Sequence, residues 1–273
     1  IPLDDWIALA VEWLVGNFRP QFQAIKVPIE LMLNAIDDLL LWLPEEIVLL
    51  AFLVIGWKTA GWKVGIFSIV SMAFIGFTGL WDATMTTLAM VISAVVVDVL
   101  IGVPLGILSS RSNRFEAILR PVLDAMQTTP AFVYLVPVVM LFSIGTVAGV
   151  IATIIFSMPP IIRLTNLGIR QVHPELIEAT YAFGATKRQV LWKVQIPLAL
   201  TTIMAGLNQT IMLSLSMVVI ASLIGAGGLG VPVFEGLNSL QVGLAGIGGL
   251  GIVLMAMVLD RITQALGTSK EDQ

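Results

Sequence analysis

Residues 178–197 read EATYAFGATKRQVLWKVQIP, and the reading of this stretch decides the fold. Glu178, Ala179, Ala182 and Phe183 recur at helical spacing, Gly184 interrupts, and Lys187, Arg188, Val190, Leu191 and Val194 continue a second helical run up to Pro197. A helix, a glycine bend and a second helix make a small platform. Charged groups this closely spaced are costly in lipid, so the platform belongs in water at a membrane face, where it can touch a partner.

Long apolar segments lie on either side. The 273 residues are 58% hydrophobic and 12% charged, with a mean hydropathy of +0.98; a soluble domain carries roughly twice that charge. The chain therefore reads as an all-α, polytopic membrane protein. It has no cysteine, which excludes disulfides and thiolate metal sites. A net charge of -4 with no basic tract argues against a nucleic-acid partner.

Four regions are expected. Residues 1–43 form an amphipathic, interfacial N-terminal region of two short runs. Trp6, Leu9, Trp13 and Leu14 share one helical face, and Ile29, Leu33, Ile36, Leu40 and Leu43 share another. Residues 44–82 form an additional transmembrane hairpin, opened by Pro44 and turned near Gly61. Residues 83–265 form the main transmembrane domain, and the platform loop occupies 175–197. Residues 266–273 form a tail. Spans are expected over 83–109 with a break at Gly102, Val103 and Pro104, over 121–142 interrupted by Pro130 and Pro137, over 147–162 ending at Pro159 and Pro160, over 198–224 and over 242–259. The total is about seven.

Charge then orients the chain. Lys58, Lys63, Arg111, Arg114, Arg120, Arg163, Arg170, Lys187, Arg188, Lys193, Arg261 and Lys270 all fall on one side of a seven-span topology, leaving Arg19 and Lys26 for the other. The positive-inside rule makes the platform and the C-terminus cytoplasmic and the N-terminus outside.

Catalytic constellations are missing from the pattern. Residues 225–230, GAGGLG, formally spell a dinucleotide fingerprint, but they follow a membrane helix instead of a strand and read as a flexible or tightly turned gate loop. No G-x-x-x-x-G-K-[ST] occurs, so ATP hydrolysis would need another polypeptide. His173 is the single histidine, which rules out a histidine-paired metal site. Asp37 with Asp38 and Glu45 with Glu46 sit at helix ends, where they serve solvation and the helix dipole. No catalytic residue and no metal site is assigned; the chain reads as no enzyme.

Polar residues at membrane depth are the remaining candidates. Asp98 lies inside a span, as do Asn208, Gln209, Thr210, Ser214 and Ser216. For Asp98 an interhelical bond outweighs substrate contact; for the two amides packing and pathway stand even. Gly206, Gly243, Gly246 and Gly249 suggest a close helix-helix seam.

The platform resembles the coupling loop of ABC importer permeases, E-A-A, then G, then I-x-L-P. Here Thr180 replaces the second alanine, and Val194 and Ile196 replace isoleucine and leucine. Longer runs, DAMQTTPAFVYLVPVVMLFSIG from Asp124, PPIIRLTNLGI, LNQTIMLSLSMVVIASLIGAGGLG and LDRITQALG, are similar to the ProW-type permease subunits of glycine betaine/proline importers. The resemblance implies a MetI-like permease core in the bacterial inner membrane, paired with a second copy. It implies two cytoplasmic ATP-binding subunits that hold ATP and Mg²⁺, since this chain itself would bind no cofactor. It also implies a separate extracytoplasmic binding protein that delivers betaine. Coupling to the ATPases falls to Glu178, Ala179, Gly184, Ala185, Lys187, Arg188 and Pro197. The translocation pathway falls to Gln127, Thr128, Thr129, Pro130, Phe132, Tyr134, Asn208, Gln209 and Ser214, with aromatic faces suited to a quaternary ammonium. A permease for choline or carnitine would share these motifs. A secondary transporter would leave the platform without a purpose.

Overall fold

The computed structural model describes residues 3–267, and every described element is helical. Residues 268–273, most of the expected tail, lie outside them. The helices are α1 (Leu3–Trp42), α2 (Glu45–Ala60), α3 (Trp62–Phe77), α4 (Trp81–Arg111), α5 (Asn113–Thr128), α6 (Leu135–Phe142), α7 (Thr146–Arg170), α8 (Pro174–Ala182), α9 (Lys187–Val190), α10 (Ile196–Ala221), α11 (Gly230–Asn238) and α12 (Val242–Gly267). Short 3₁₀ turns cover Ala131–Tyr134 and Ser222–Ile224, and a π-helical turn covers Leu191–Gln195.

Among the described residues four helical runs are long and apolar enough to cross a bilayer: Trp81–Arg111, Thr146–Arg170, Lys187–Ile224 and Val242–Gly267. Two bent pairs, Pro20–Trp42 with Glu45–Ala60 and Asn113–Thr128 with Ala131–Phe142, would bring the number to six. Trp62–Phe77 is a shorter apolar helix that pairs with α2 in the expected hairpin. Its tip is tight because Gly61 takes φ +90°, and because Gly65 meets Leu53 and Trp57 so closely that a Cβ would lie 2.8 Å from the Leu53 oxygen.

α7 lies at the centre, packed on α4 and α10. Lipid tails are as apolar as leucine, so helices in a bilayer associate by close van der Waals approach and not by hydrophobic burial. The seams show this. A Cβ on Gly102 or Gly106 of α4 would come within 2.5 Å of Ile161 or Thr165 of α7, and one on Gly206 of α10 within 3.0 Å of Leu164.

Several boundaries differ from the sequence expectation. The N-terminal runs are one helix that passes Pro20 and Pro28 without ending. α4 continues through Pro104, and α7 continues through Pro159 and Pro160 to Arg170. Both α7 prolines are buried, and freed backbone groups are tolerated where neighbouring helices enclose them. Pro130 does break its helix, and Pro44 stands at the 105° bend between α1 and α2. At Pro130 the axis turns by 107°, while the Thr128 and Thr129 hydroxyls bond back to Asp124 and Ala125 carbonyls. The expected glycine seam is also shifted. Around Gly243, Gly246 and Gly249 a Cβ would meet nothing within 4 Å, whereas Gly248 meets Val233 and Gly251 meets Leu229. The buried stripe of α12 runs Gly248, Gly251, Met255, Val258 and Ile262, which keeps the alternating three and four spacing of a helix face; a strict repeat of three drifts off it.

Of the two expectations for residues 225–230, the structure has the tight turn, and the segment is packed. Ala226 and Leu229 are buried, Gly225 and Gly228 take positive φ, and the N–H of Leu229 donates to Thr87 Oγ1 of α4 at 2.8 Å. The connection beyond them holds a further helix that the sequence pattern does not announce: α11 folds back along α12.

Candidate coupling platform and pathway

The platform begins where α7 ends. Pro174 occupies the first turn of α8, as its fixed φ and missing N–H allow. His173 caps the helix with its backbone and is exposed. At the other end the N–H of Gly184 donates to the Tyr181 carbonyl at 2.9 Å and that of Ala185 to Thr180 at 3.2 Å. Phe183 is the C-cap and Gly184 stands at φ +82°. This pair of bonds is the Schellman arrangement, which needs a residue free to adopt left-handed backbone. The glycine of the motif is therefore a helix stop.

α9 starts with a capping box. Thr186 Oγ1 accepts from the Gln189 N–H, while Gln189 Oε1 accepts from the Thr186 N–H at 2.8 Å. The T-x-x-Q spacing is legible in the sequence and is the signal that locates the second helix. α9 runs through the π turn at Leu191–Gln195 into α10, with Pro197 in its first turn, where no N–H is required of it.

Exposure sorts the platform into roles. Glu178, Ala179, Gly184, Lys187, Arg188 and Pro197 are exposed, and Ala185 is half-buried. Phe183 is 93% exposed, with Tyr181, Leu176 and Trp192 also open, while Val190 and Leu191 are buried and anchor the loop. Among the described residues the ion pairs are Arg163 with Asp124 and Arg170 with Glu116, so the platform's charges are uncommitted. A bare phenylalanine flanked by unpaired charges is the composition of a docking surface. Arg111, which no motif singles out, reaches it from α4 and donates to the Lys187 carbonyl at 3.2 Å. Nearby, Arg170 donates to Asn166, Asn113 and the Ser109 carbonyl, and so ties the ends of α4, α5 and α7 together.

The pathway candidates divide. Gln127, Thr128, Pro130, Phe132 and Gln209 are exposed; Thr129 is half-buried. The 3₁₀ turn carrying Phe132 packs on α7 and α10, which brings the two candidate stretches together. Tyr134 is committed to the fold: its hydroxyl donates to the Met126 carbonyl at 2.6 Å and its ring stands edge-on to Phe156. Asn208 turns to α12, donating to Asp260 at 2.9 Å and accepting from Thr263. Ser214 is buried and bonds back to Thr210. Among the described residues no three His, Asp or Glu side chains converge as metal ligands.

Residues 102–269 match the family described as "Binding-protein-dependent transport system inner membrane component". The chain is 55% identical over 267 residues to the glycine betaine/proline betaine transport system permease protein ProW of Escherichia coli (strain K12), covering 98% of this chain and 75% of that one. It is 43% identical over 273 residues to the glycine betaine transport system permease protein OpuAB of Bacillus subtilis (strain 168), covering 100% of this chain and 97% of that one. In fold it is similar to a chain of the MetNI methionine ABC transporter, solved in inward-facing conformations, at a TM-score of 0.60 and 23% identity over 72% of this chain and 98% of that one.

Proposed function

The chain belongs to the family of binding-protein-dependent transport system inner membrane components, and from that premise we propose that it carries glycine betaine or proline betaine type osmoprotectants inward, driven by ATP hydrolysed on separate subunits. The permease role is that of the family; the substrate is inferred from relatives named for betaine. The observation that carries the coupling half is the exposed platform, with Phe183 bare at the C-cap of α8 and Gly184 stopping that helix.

In this reading two copies of the chain enclose the pathway, and two cytoplasmic ATP-binding subunits with ATP and Mg²⁺ receive the platforms. A separate binding protein presents solute on the outer side. Glu178, Ala179, Ala185, Lys187, Arg188 and Pro197 flank the contact. ATP binding draws the ATPases together; the platforms follow, and α7 and α10, which are joined to each platform directly, tilt to open the pathway outward. Hydrolysis resets it. The exposed set Gln127, Thr128, Pro130, Phe132 and Gln209 lines the pathway, where aromatic faces attract a quaternary ammonium. Main-domain boundaries of 83–265, an outside N-terminus and a cytoplasmic C-terminus belong to the same proposal.

The test is reconstitution of the permease with its ATPase and binding protein in vesicles. ATP-dependent uptake of glycine betaine, with hydrolysis stimulated by the loaded binding protein, supports the reading. Uptake that ignores ATP, or a purified assembly with no nucleotide-hydrolysing companion, overturns it.

A further inference from the structure

Asp98 lies in the middle of α4 with no exposed surface, and its Oδ2 stands 2.6 Å from Ser157 Oγ of α7. The same serine oxygen stands 2.7 Å from the Thr153 carbonyl oxygen. A hydroxyl carries one hydrogen, and a carbonyl can only accept. If Asp98 were ionised, one serine hydrogen would face two acceptors, and one of these close oxygen pairs would be bare lone pairs. A neutral acid satisfies both contacts: Asp98 donates to Ser157, and Ser157 donates to Thr153.

The surroundings argue the same way. Asp98 Oδ1 is buried and has no hydrogen-bond partner among the described residues, and an ionised carboxylate with an unsatisfied buried oxygen is strongly disfavoured. Among the described residues no cation is placed to offset it. Between Asp82 and Arg111, α4 has no other ionisable residue, and none occurs in α10. The first in α7 is Arg163, six residues beyond Ser157 and about 9 Å along the helix. α3 carries only Lys63, exposed in its first turn. Lys26, Glu30 and Asp37 of α1 lie beside Thr86 of α4, and Glu116 and Arg120 of α5 beside Ser109, each more than ten residues along α4 from Asp98.

We propose that Asp98 is a proton-holding site inside the membrane, a neutral carboxyl whose hydrogen runs through Ser157 to the Thr153 carbonyl and clamps α4 to α7 without charge. These helices approach the platform together, α4 through Arg111 and α7 through the segment before Pro174. The clamp makes them one body and keeps its proton through the transport cycle, so uptake is not coupled to proton movement at Asp98. Only this last consequence rests on the proposed function.

Infrared difference spectroscopy on the full complex in lipid reads the proton directly. Subtracting an Asp98→Asn spectrum from the wild type at neutral pH should reveal the carbonyl stretch of a protonated carboxylic acid; carboxylate bands in its place would overturn the proposal. Ser157→Ala removes the acceptor and should shift that stretch to higher frequency, which decides the matter if Asp98→Asn fails to assemble; no shift refutes the link. The amide of Asp98→Asn can still donate to Ser157, so that complex should transport at the wild-type rate, and a folded but inactive one would show that the proton itself is used. Wild-type complex that takes up no betaine would sink the proposed function and leave the infrared result standing.

Discussion

The N–H of Leu229 donates to the hydroxyl of Thr87 at 2.8 Å, across 142 residues of sequence, and this bond holds the glycine-rich segment against α4. Gly228 reaches the same oxygen: a Cβ there would lie 2.4 Å from Thr87 Oγ1, on backbone at φ +92°. Thr87→Val strands a buried N–H at a cost of about 1 to 3 kcal/mol. Gly228→Ala adds a clash and should cost more, while Thr87→Ser should be nearly neutral. Thermal unfolding of the detergent-purified complex checks the order; a melting temperature unchanged in Gly228→Ala would mean that the segment is not anchored.

At Gly184 a Cβ would meet nothing within 4 Å, so a substitution there acts through backbone conformation alone. Gly184→Val places a β-branched residue at φ +82°, at a cost of about 1 to 2 kcal/mol. Gly184→Asn, which tolerates left-handed backbone, should do less harm. Both variants should remain in the membrane. The valine variant should hydrolyse more ATP per molecule of solute imported; an unchanged ratio would remove the glycine from the coupling machinery.

Phe183 should behave as an interface anchor. It is 93% exposed, so Phe183→Ala removes little internal packing and should leave the melting temperature of the permease unaltered. Buried aromatic anchors are worth about 2 kcal/mol or more at interfaces, so the ATPase subunit should bind roughly thirtyfold more weakly. Undiminished capture of that subunit in a pull-down titration would contradict the docking role.

Asn208 and Asp260 join α10 to α12, with Thr263 as the third member. Hydrogen bonds between membrane helices average about 0.6 kcal/mol and reach about 1.7. Asn208→Leu should therefore lower stability modestly and leave substrate affinity alone. If affinity for betaine fell while stability held, Asn208 would belong to the pathway after all.

The chain has no cysteine, so introduced ones report sidedness cleanly. Arg188 and Ser239 are exposed, whereas Gly228 is buried. Cysteines at 188 and 239 should react with an impermeant reagent from opposite faces of the membrane, 188 from the cytoplasm. Labelling from the same face would invert the proposed topology.

The apolar runs and the platform are legible in the sequence because lipid enforces simple rules: spans need length, charges need water. Proline is the misleading signal. Pro104, Pro159 and Pro160 have the form of stops, yet α4 and α7 continue through them; Pro130 does end a helix, and the Met126 carbonyl that its missing N–H leaves free accepts from the Tyr134 hydroxyl. The glycines are only half legible. Which faces of α12 are packed depends on where α11 folds back, and residues 230–238 carry no periodicity long enough to announce a helix. At the platform Gly184 and Pro197 stand where the spacing puts them, but Arg111 is invisible to any local pattern, because its contact with Lys187 crosses 76 residues.

The run from Lys187 to Ile224 is continuous over 38 residues, which has a mechanical consequence. At 1.5 Å per residue such a rod is about 57 Å long, so a rotation of roughly 5° about its midpoint displaces each tip by about 2.5 Å. Its irregular turns stand near the two ends, the wide one at Leu191–Gln195 and the 3₁₀ turn at Ser222–Ile224. A small stroke delivered at one end, as the proposed coupling requires, would therefore reach the other through a regular helix, with compliance confined to the turns near its two ends.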